Sequence, residues 1–276
     1  MPTLIIGGMH RSGTTLTARW LHQCGLYVGD DLLTSKFSHA NPDGNHYEDR
    51  AFLKLHRQIL LSNGLNAEGY ITNENIQIAP QYRAQAEALI ASRQIYEQWG
   101  WKEPRTSLFM DFWQPYLPDV YALMVYRPYT RVADSLLRRK LEHPRRVRRW
   151  FYRMVYHNRA AHVAHFICVW RRYNRDLLTF AARTPERTLV LRIDDLVRES
   201  EAIVHFMNSA WAFQLDTSAA SHIFQRERLK QETRYVNREA PLVANAMQAA
   251  EPLYQQLEQW RVLTLKRIRN QAVIDD

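Results

Sequence analysis

Between Leu4 and Leu16 the chain reads LIIGGMHRSGTTL, an apolar run that opens into Gly7 and Gly8, then His10, Arg11, Ser12, Gly13 and two adjacent threonines, Thr14 and Thr15. Residues of these types at this spacing bind an anion. The glycines permit a bend in which successive backbone N–H groups converge, and a helix starting at the threonines adds the positive end of its dipole. The interval from Gly8 to Gly13 fits the triphosphate-loop pattern GxxxxGK[ST], but Thr14 stands where that pattern has lysine. A lysine there reaches the β and γ phosphates of a nucleoside triphosphate with its Mg²⁺, so its absence argues against triphosphate chemistry. The cation lies inside the loop, at Arg11, which suits a shorter anion.

A second phosphate grip is legible in DVYALMVYRPYTRVADSLL, residues 119–137. A strand from Val120 to Val125 delivers Arg127 at its carboxyl end, and a helix from about Tyr129 brings Ser135 round beside it. The guanidinium offers two parallel donors and the hydroxyl one more. Two phosphate sites imply one bisphosphate nucleotide. Together, [K/R]-S-G-T-T after a short strand and R-x(7)-S resemble the 5′-phosphosulfate and 3′-phosphate loops of the bacterial-type sulfotransferases that use 3′-phosphoadenylyl sulfate (PAPS). The resemblance implies that His10, Arg11, Ser12, Gly13, Thr14 and Thr15 hold the phosphosulfate end, and that Arg127 and Ser135 hold the 3′-phosphate.

Sulfuryl transfer needs a base for the acceptor hydroxyl, cations for charge developing on the leaving phosphate, and exclusion of water. An in-line transfer between oxygens needs no metal, and none is expected. Lys102, in WGWKEPRT, resembles the lysine of the family's K-x-P-R element, which contacts the transferred group. Arg105 belongs to the same element and positions the donor or fixes the loop; Glu103 departs from the aspartate of many relatives. An isolated Lys-Glu dipeptide would read as a surface pair. In NPDGNHYEDR, residues 41–50, Glu48 falls on the glutamate of the N-P-x-G-[YF]-[FW]-E-[DN] element of the bacterial branch and is the candidate base. A carboxylate near a helix N-terminus is held as the anion. His46 is the rival base, and a second reading has Glu48 and Asp49 merely charging the first helical turn. VLRIDDLVRES at 190–200 and WRRYNRDLL at 170–178 also resemble family segments. Leu16 and Ile193 depart from the tryptophan and tyrosine of the animal cytosolic enzymes, and Arg226, Arg228 or Lys230 are further candidates for the 3′-phosphate.

These residues must be positioned by alternating strands and helices. Strands are expected at Leu4 to Gly7, Trp99 to Trp101, Val120 to Val125 and Thr188 to Ile193. Helices are expected at Thr14 to Gln23, Tyr47 to Leu61, Gln81 to Gln98, Tyr129 to Leu141 and Val147 to Ala182, and from Leu196 to the end. The alternation predicts an α/β fold of three layers, a central parallel sheet flanked by helices with P-loop NTPase-like topology, and ligands at the carboxyl ends of the strands. Residues 32–44 and 62–80 read as long loops where acceptor contacts concentrate. The 276 residues suit a single domain, with a helical insert around 138–182 and a helical region at 196–276.

Two cysteines, Cys24 and Cys168, support neither a disulfide framework nor a zinc site and fit a reducing compartment. With no leader before Leu4 and no apolar stretch of about twenty residues, a cytoplasmic enzyme without a membrane anchor is expected. The net charge of +9 is concentrated in RRKLEHPRRVRRWFYRMVYHNR, residues 138–159, where Pro144 should break the helix and permit a lid. No nucleic-acid module accompanies that charge, which reads as a solvated face steering an anionic donor. The expected acceptor is a small molecule, lipid or carbohydrate bearing a hydroxyl. A P-loop kinase and a non-catalytic nucleotide or polyanion binder are the rival functions.

Overall fold

In the computed structural model, residues 1–34, 44–143, 146–217 and 233–275 are described. The apolar runs form four parallel strands: β1 (Thr3–Gly7), β4 (Trp99–Lys102), β5 (Tyr121–Tyr126) and β6 (Thr188–Arg192), in the order β4-β1-β5-β6. Side chains alternate across this sheet. Ile5, Met124 and Val190 enter one core, packed with the helix α7 (Arg159–Arg183) and the two helices α2 (Arg50–Ser62) and α5 (Tyr129–Leu141). Leu4, Ile6, Leu123, Val125, Leu189 and Leu191 enter the other, with α1 (Thr14–Gln23) and α9 (Ser200–Trp211). Both faces of the sheet are therefore covered, and the strands read as continuous apolar runs because each residue is buried on one side or the other. The expected three-layer α/β architecture is the one found.

The register fixes where chemistry can gather. Ile6 pairs with Lys102, Gly7 with Met124, and Tyr126 with Arg192. The carboxyl ends of all four strands thus open on the same edge, where Lys102 ends β4 and from which the segments carrying Arg11 and Arg127 leave.

Four element boundaries differ from the sequence expectation. A hairpin of β2 (Leu32–Thr34) and β3 (Asn45–Asp49) occupies the ends of the expected 32–44 loop and the first residues of the helix expected from Tyr47. The Asp49 side chain caps α2 by accepting from the Ala51 N–H at 2.8 Å, so the helix begins at Arg50, and apolar spacing alone does not show where such a cap falls. Helix α3 (Pro80–Arg93) stops short of Gln98, and Tyr96 beyond it stacks on Tyr27 with ring centres 3.5 Å apart. The long helix expected over 147–182 is two, α6 (Arg146–Val155) and α7, because Asn158 caps α7 by accepting from the Ala161 N–H. Beyond β6 come α8 (Ile193–Arg198), α9 and α10 (Pro241–Asp275), with non-helical chain at 212–217 and 233–240. The short α4 (Met110–Trp113) completes the α-helices among the described residues, beside 3-10 turns at Pro104–Leu108 and Pro185–Arg187. Residues Asn41 to Asp43, Pro144, Arg226, Arg228 and Lys230 lie outside the described residues.

Candidate functional site

The turn between β1 and α1 has the backbone form that an anion cradle requires. Gly8 and Gly13 hold φ angles of 149° and 105°, and a Cβ at either would collide, with the Val125 carbonyl oxygen at 2.4 Å and with Ile193 Cδ1 at 2.5 Å. Only glycine fits these places. The Gly8 N–H donates to Ser107 Oγ at 3.1 Å, which ties the turn to the loop after β4. The first intrahelical bond of α1 runs from the Thr17 N–H to the Gly13 carbonyl, so the N–H groups just ahead of it are the helix's open donors. Ser12 Oγ and His10 Nε2 are buried without a hydrogen-bond partner among the described residues. Buried polar atoms seldom stay unpaired, so both fit the role of ligand donors.

Arg11 adopts φ 70°, a left-handed conformation that costs a side-chain-bearing residue about 1–3 kcal/mol. The bend throws its guanidinium across the cleft, where Nε donates to Ser135 Oγ at 2.9 Å. The sequence placed Ser135 beside Arg127; the structure gives it a bond from Arg11, joining the two segments expected to bind phosphate. Solvent reaches Arg11, yet the cleft walls desolvate it and Arg139, Arg127 and Arg138 repel it, pulling its pKa down to about 10. Burial and Arg131 likewise lower the pKa of Arg127. Two guanidiniums held below their ordinary pKa by burial and by neighbouring arginines would gain from a bound anion. Arg139 was missed in the sequence, where it is one cation in the run RRK; only the turn of α5 (Tyr129–Leu141) brings it toward His10, Arg11 and His46.

Lys102 ends β4 almost fully buried, at 1% exposure. Its Nζ donates to Glu48 Oε1 at 2.7 Å and to the His46 carbonyl at 3.0 Å. Two candidate residues some fifty positions apart thus form one ion pair. Glu48 lies on β3 and not in the first turn of α2; that capping role belongs to Asp49, which also accepts from Arg93 at 2.7 Å. Tyr47, between the two candidate bases, has φ 52°, a second strained backbone position at the cleft. Burial lowers the pKa of the His46 imidazole, Glu48 opposing and Lys102 adding to the effect. Burial, with Arg105, lowers that of His10 well below its ordinary value. Both rings are neutral near pH 7.

Arg105 is committed to the protein. It pairs with Glu103, donates from Nε to the Ala67 carbonyl at 2.7 Å and meets Glu68 Oε2 at 3.2 Å. Of the two roles the sequence left open, its contacts are those of a residue that fixes the loop. Glu103 also accepts from His56 Nδ1 at 2.6 Å, while His56 Nε2 accepts from Trp113 Nε1 at 2.9 Å. That pattern sets His56 as the neutral tautomer with the proton on Nδ1. Burial raises the Glu103 carboxyl, but Arg105 and His56 outweigh it and hold it below the carboxylate range.

The network predicts an acid-sensitive fold. Burial lowers the His56 pKa in the folded chain below its ordinary 6.5, so protonation favours the unfolded state. Its contribution is complete above about pH 6.5 and is lost as pH falls, by at most about 1.4 kcal/mol per pH unit. Glu103, depressed from 4.5, adds a second loss of the same sign below that pH. Urea titrations between pH 8 and 4 should show this decline, and His56→Gln should reduce its upper phase, leaving the share of His10 and His46, which burial lowers in the same sense. A stability flat from pH 7 to 5 would refute the assignment.

A separate cavity of about 400 Å³ lies between residues 74–78 and α7, lined by Ile76, Phe109, Met110 and Arg172 among others. None of the residues of the anion cradle lines it.

No protein-family model matches the chain, and no curated protein matches its sequence. Its structure does match solved ones. The sulfotransferase STF9 of Mycobacterium avium superposes with TM-score 0.52 at 12% identity, covering 92% of this chain and 75% of that one. The sulfotransferase domain of the Synechococcus PCC 7002 olefin synthase superposes with TM-score 0.51 at 18% identity, covering 92% and 94%. With a four-stranded parallel sheet enclosed by helices and an anion cradle at its carboxyl edge, the chain has the fold of the bacterial sulfotransferases.

Proposed function

We propose that this protein is a PAPS-dependent sulfotransferase acting on an acceptor hydroxyl. The observation that carries the reading is the hydrogen bond from Arg11 to Ser135, which draws the two phosphate-binding elements into one cationic cleft. A donor with phosphates at both ends of its ribose needs two grips at once, and a triphosphate site does not. The cradle fits the donor's phosphosulfate end: two glycines leave room for it, and two buried polar atoms wait without partners.

PAPS supplies a sulfuryl group on a good leaving group. In this chain Arg11 faces the bridging region and takes up charge as the sulfur–oxygen bond to phosphate breaks. Glu48 accepts the acceptor's hydroxyl proton as the new oxygen–sulfur bond forms, and Lys102 orients that carboxylate from 2.7 Å. His46, neutral and beside the pair, is the alternative proton acceptor. Arg127 selects for the 3′-phosphate.

Calorimetry tests the nucleotide directly. The chain should bind 3′,5′-ADP far more tightly than ATP with Mg²⁺. Arg127→Ala should weaken 3′,5′-ADP by about 10- to 100-fold, the worth of charge-assisted bonds, and leave 5′-AMP within about threefold. Tighter binding of ATP with Mg²⁺ would favour a kinase, and an equal loss for both nucleotides would remove Arg127 from the 3′-phosphate.

A further inference from the structure

Helix α6 (Arg146–Val155) is amphipathic in the reverse sense for a helix packed on its own protein. Its inward side is aromatic and polar. Tyr152 lies beneath the Lys140 ammonium, 4.9 Å from the ring centre, and Tyr156, just past the helix, meets His162 and Phe166. Its outward side carries Val147, Trp150, Phe151, Met154 and Val155, with exposures of 79, 63, 56, 56 and 44%. These positions recur at i, i+3, i+4, i+7 and i+8, which places all five on one stripe. Monomeric soluble surfaces rarely leave two neighbouring aromatic and three aliphatic side chains in such a row uncovered.

The charges around the stripe identify what covers it. Arg148 and Arg153 are exposed and fall on opposite borders of the stripe at 100° per residue. From His143 to Arg175 the sequence contains no aspartate or glutamate. Apolar and aromatic side chains flanked on both sides by arginine match a bilayer interface: the stripe enters the acyl boundary while the guanidiniums reach anionic headgroups. No described helix is long and apolar enough to cross a membrane, so the contact is a surface one. We propose that α6 docks this protein, lying in the interface plane, on anionic lipid membranes. The proposal stands independently of the catalytic reading.

Vesicle pelleting of the full chain tests it. Wild type should sediment with phosphatidylcholine vesicles containing about one third phosphatidylglycerol and remain free with phosphatidylcholine alone. The double variant Trp150→Asp/Phe151→Asp and, separately, Arg148→Glu/Arg153→Glu should each lose at least about tenfold in partitioning. Both should keep the parental melting temperature, since the four side chains face solvent. Wild type that ignores anionic vesicles, or an aspartate variant that binds them like the parent, would overturn the proposal. So would light scattering showing a dimer that the aspartate variant dissolves, because the stripe would then belong to a second copy.

Discussion

Replacing Arg11 with alanine is expected to lower sulfuryl transfer by about three orders of magnitude, the scale on which positioned charge stabilises an oxyanion transition state. Three observations set the size of the effect. Arg11 is held at φ 70°, a conformation sustained only by its surroundings. Its guanidinium bridges to Ser135, so its loss also unlinks the β1–α1 turn from α5, the two segments proposed to hold the nucleotide's phosphates. Its pKa of about 10 leaves it charged at neutral pH, and Arg139 and Arg127 add positive charge beside it. Arg11→Lys should recover a small part of the rate, because an ammonium restores charge but not the planar donor fork. Rates with labelled PAPS, compared with calorimetric binding of 3′,5′-ADP, measure both consequences. A rate within about tenfold of wild type for the alanine variant would place the transferring phosphate elsewhere.

Glu48→Gln is the second large effect. The glutamine keeps an oxygen to accept from Lys102, so the ion-pair geometry is approximated while the proton acceptor is removed. The expected result is a fall in kcat of about 10²- to 10⁴-fold, with 3′,5′-ADP affinity changed less than about threefold. His46→Gln is the discriminating companion. If the histidine variant loses the rate and the glutamine variant keeps it, the base is His46. Lys102→Met, in contrast, strands a largely buried carboxylate and should destabilise the fold by about 3–5 kcal/mol, which makes it a poor probe of catalysis.

The glycine turn after β1 was legible in sequence because its backbone demands are local. Gly8, Arg11, Gly13 and the two threonines lie within eight residues, and the backbone demands of the turn dictate the residue types. The four strands were legible for a related reason: a parallel strand buried on both faces is an uninterrupted apolar run. The hairpin before α2 was not. The Asn45 side chain accepts from the Tyr47 N–H at 2.7 Å and Tyr47 turns left-handed, neither of which disturbs the helical spacing that continues through residue 60.

By itself, then, the sequence determined the four strands of the central sheet, a glycine-bounded turn after the first of them and a cation inside it, since these follow from periodicity and from what glycine and arginine can do over a few residues. Tertiary structure alone decided which partners meet. Ser135 faces Arg11 across 124 positions, Lys102 meets Glu48 across 54, and Glu103 is shared between Arg105 and His56. Those pairings depend on strand register and on the rotation of α5 and β3 about the sheet edge. A chain's local propensities carry no record of either.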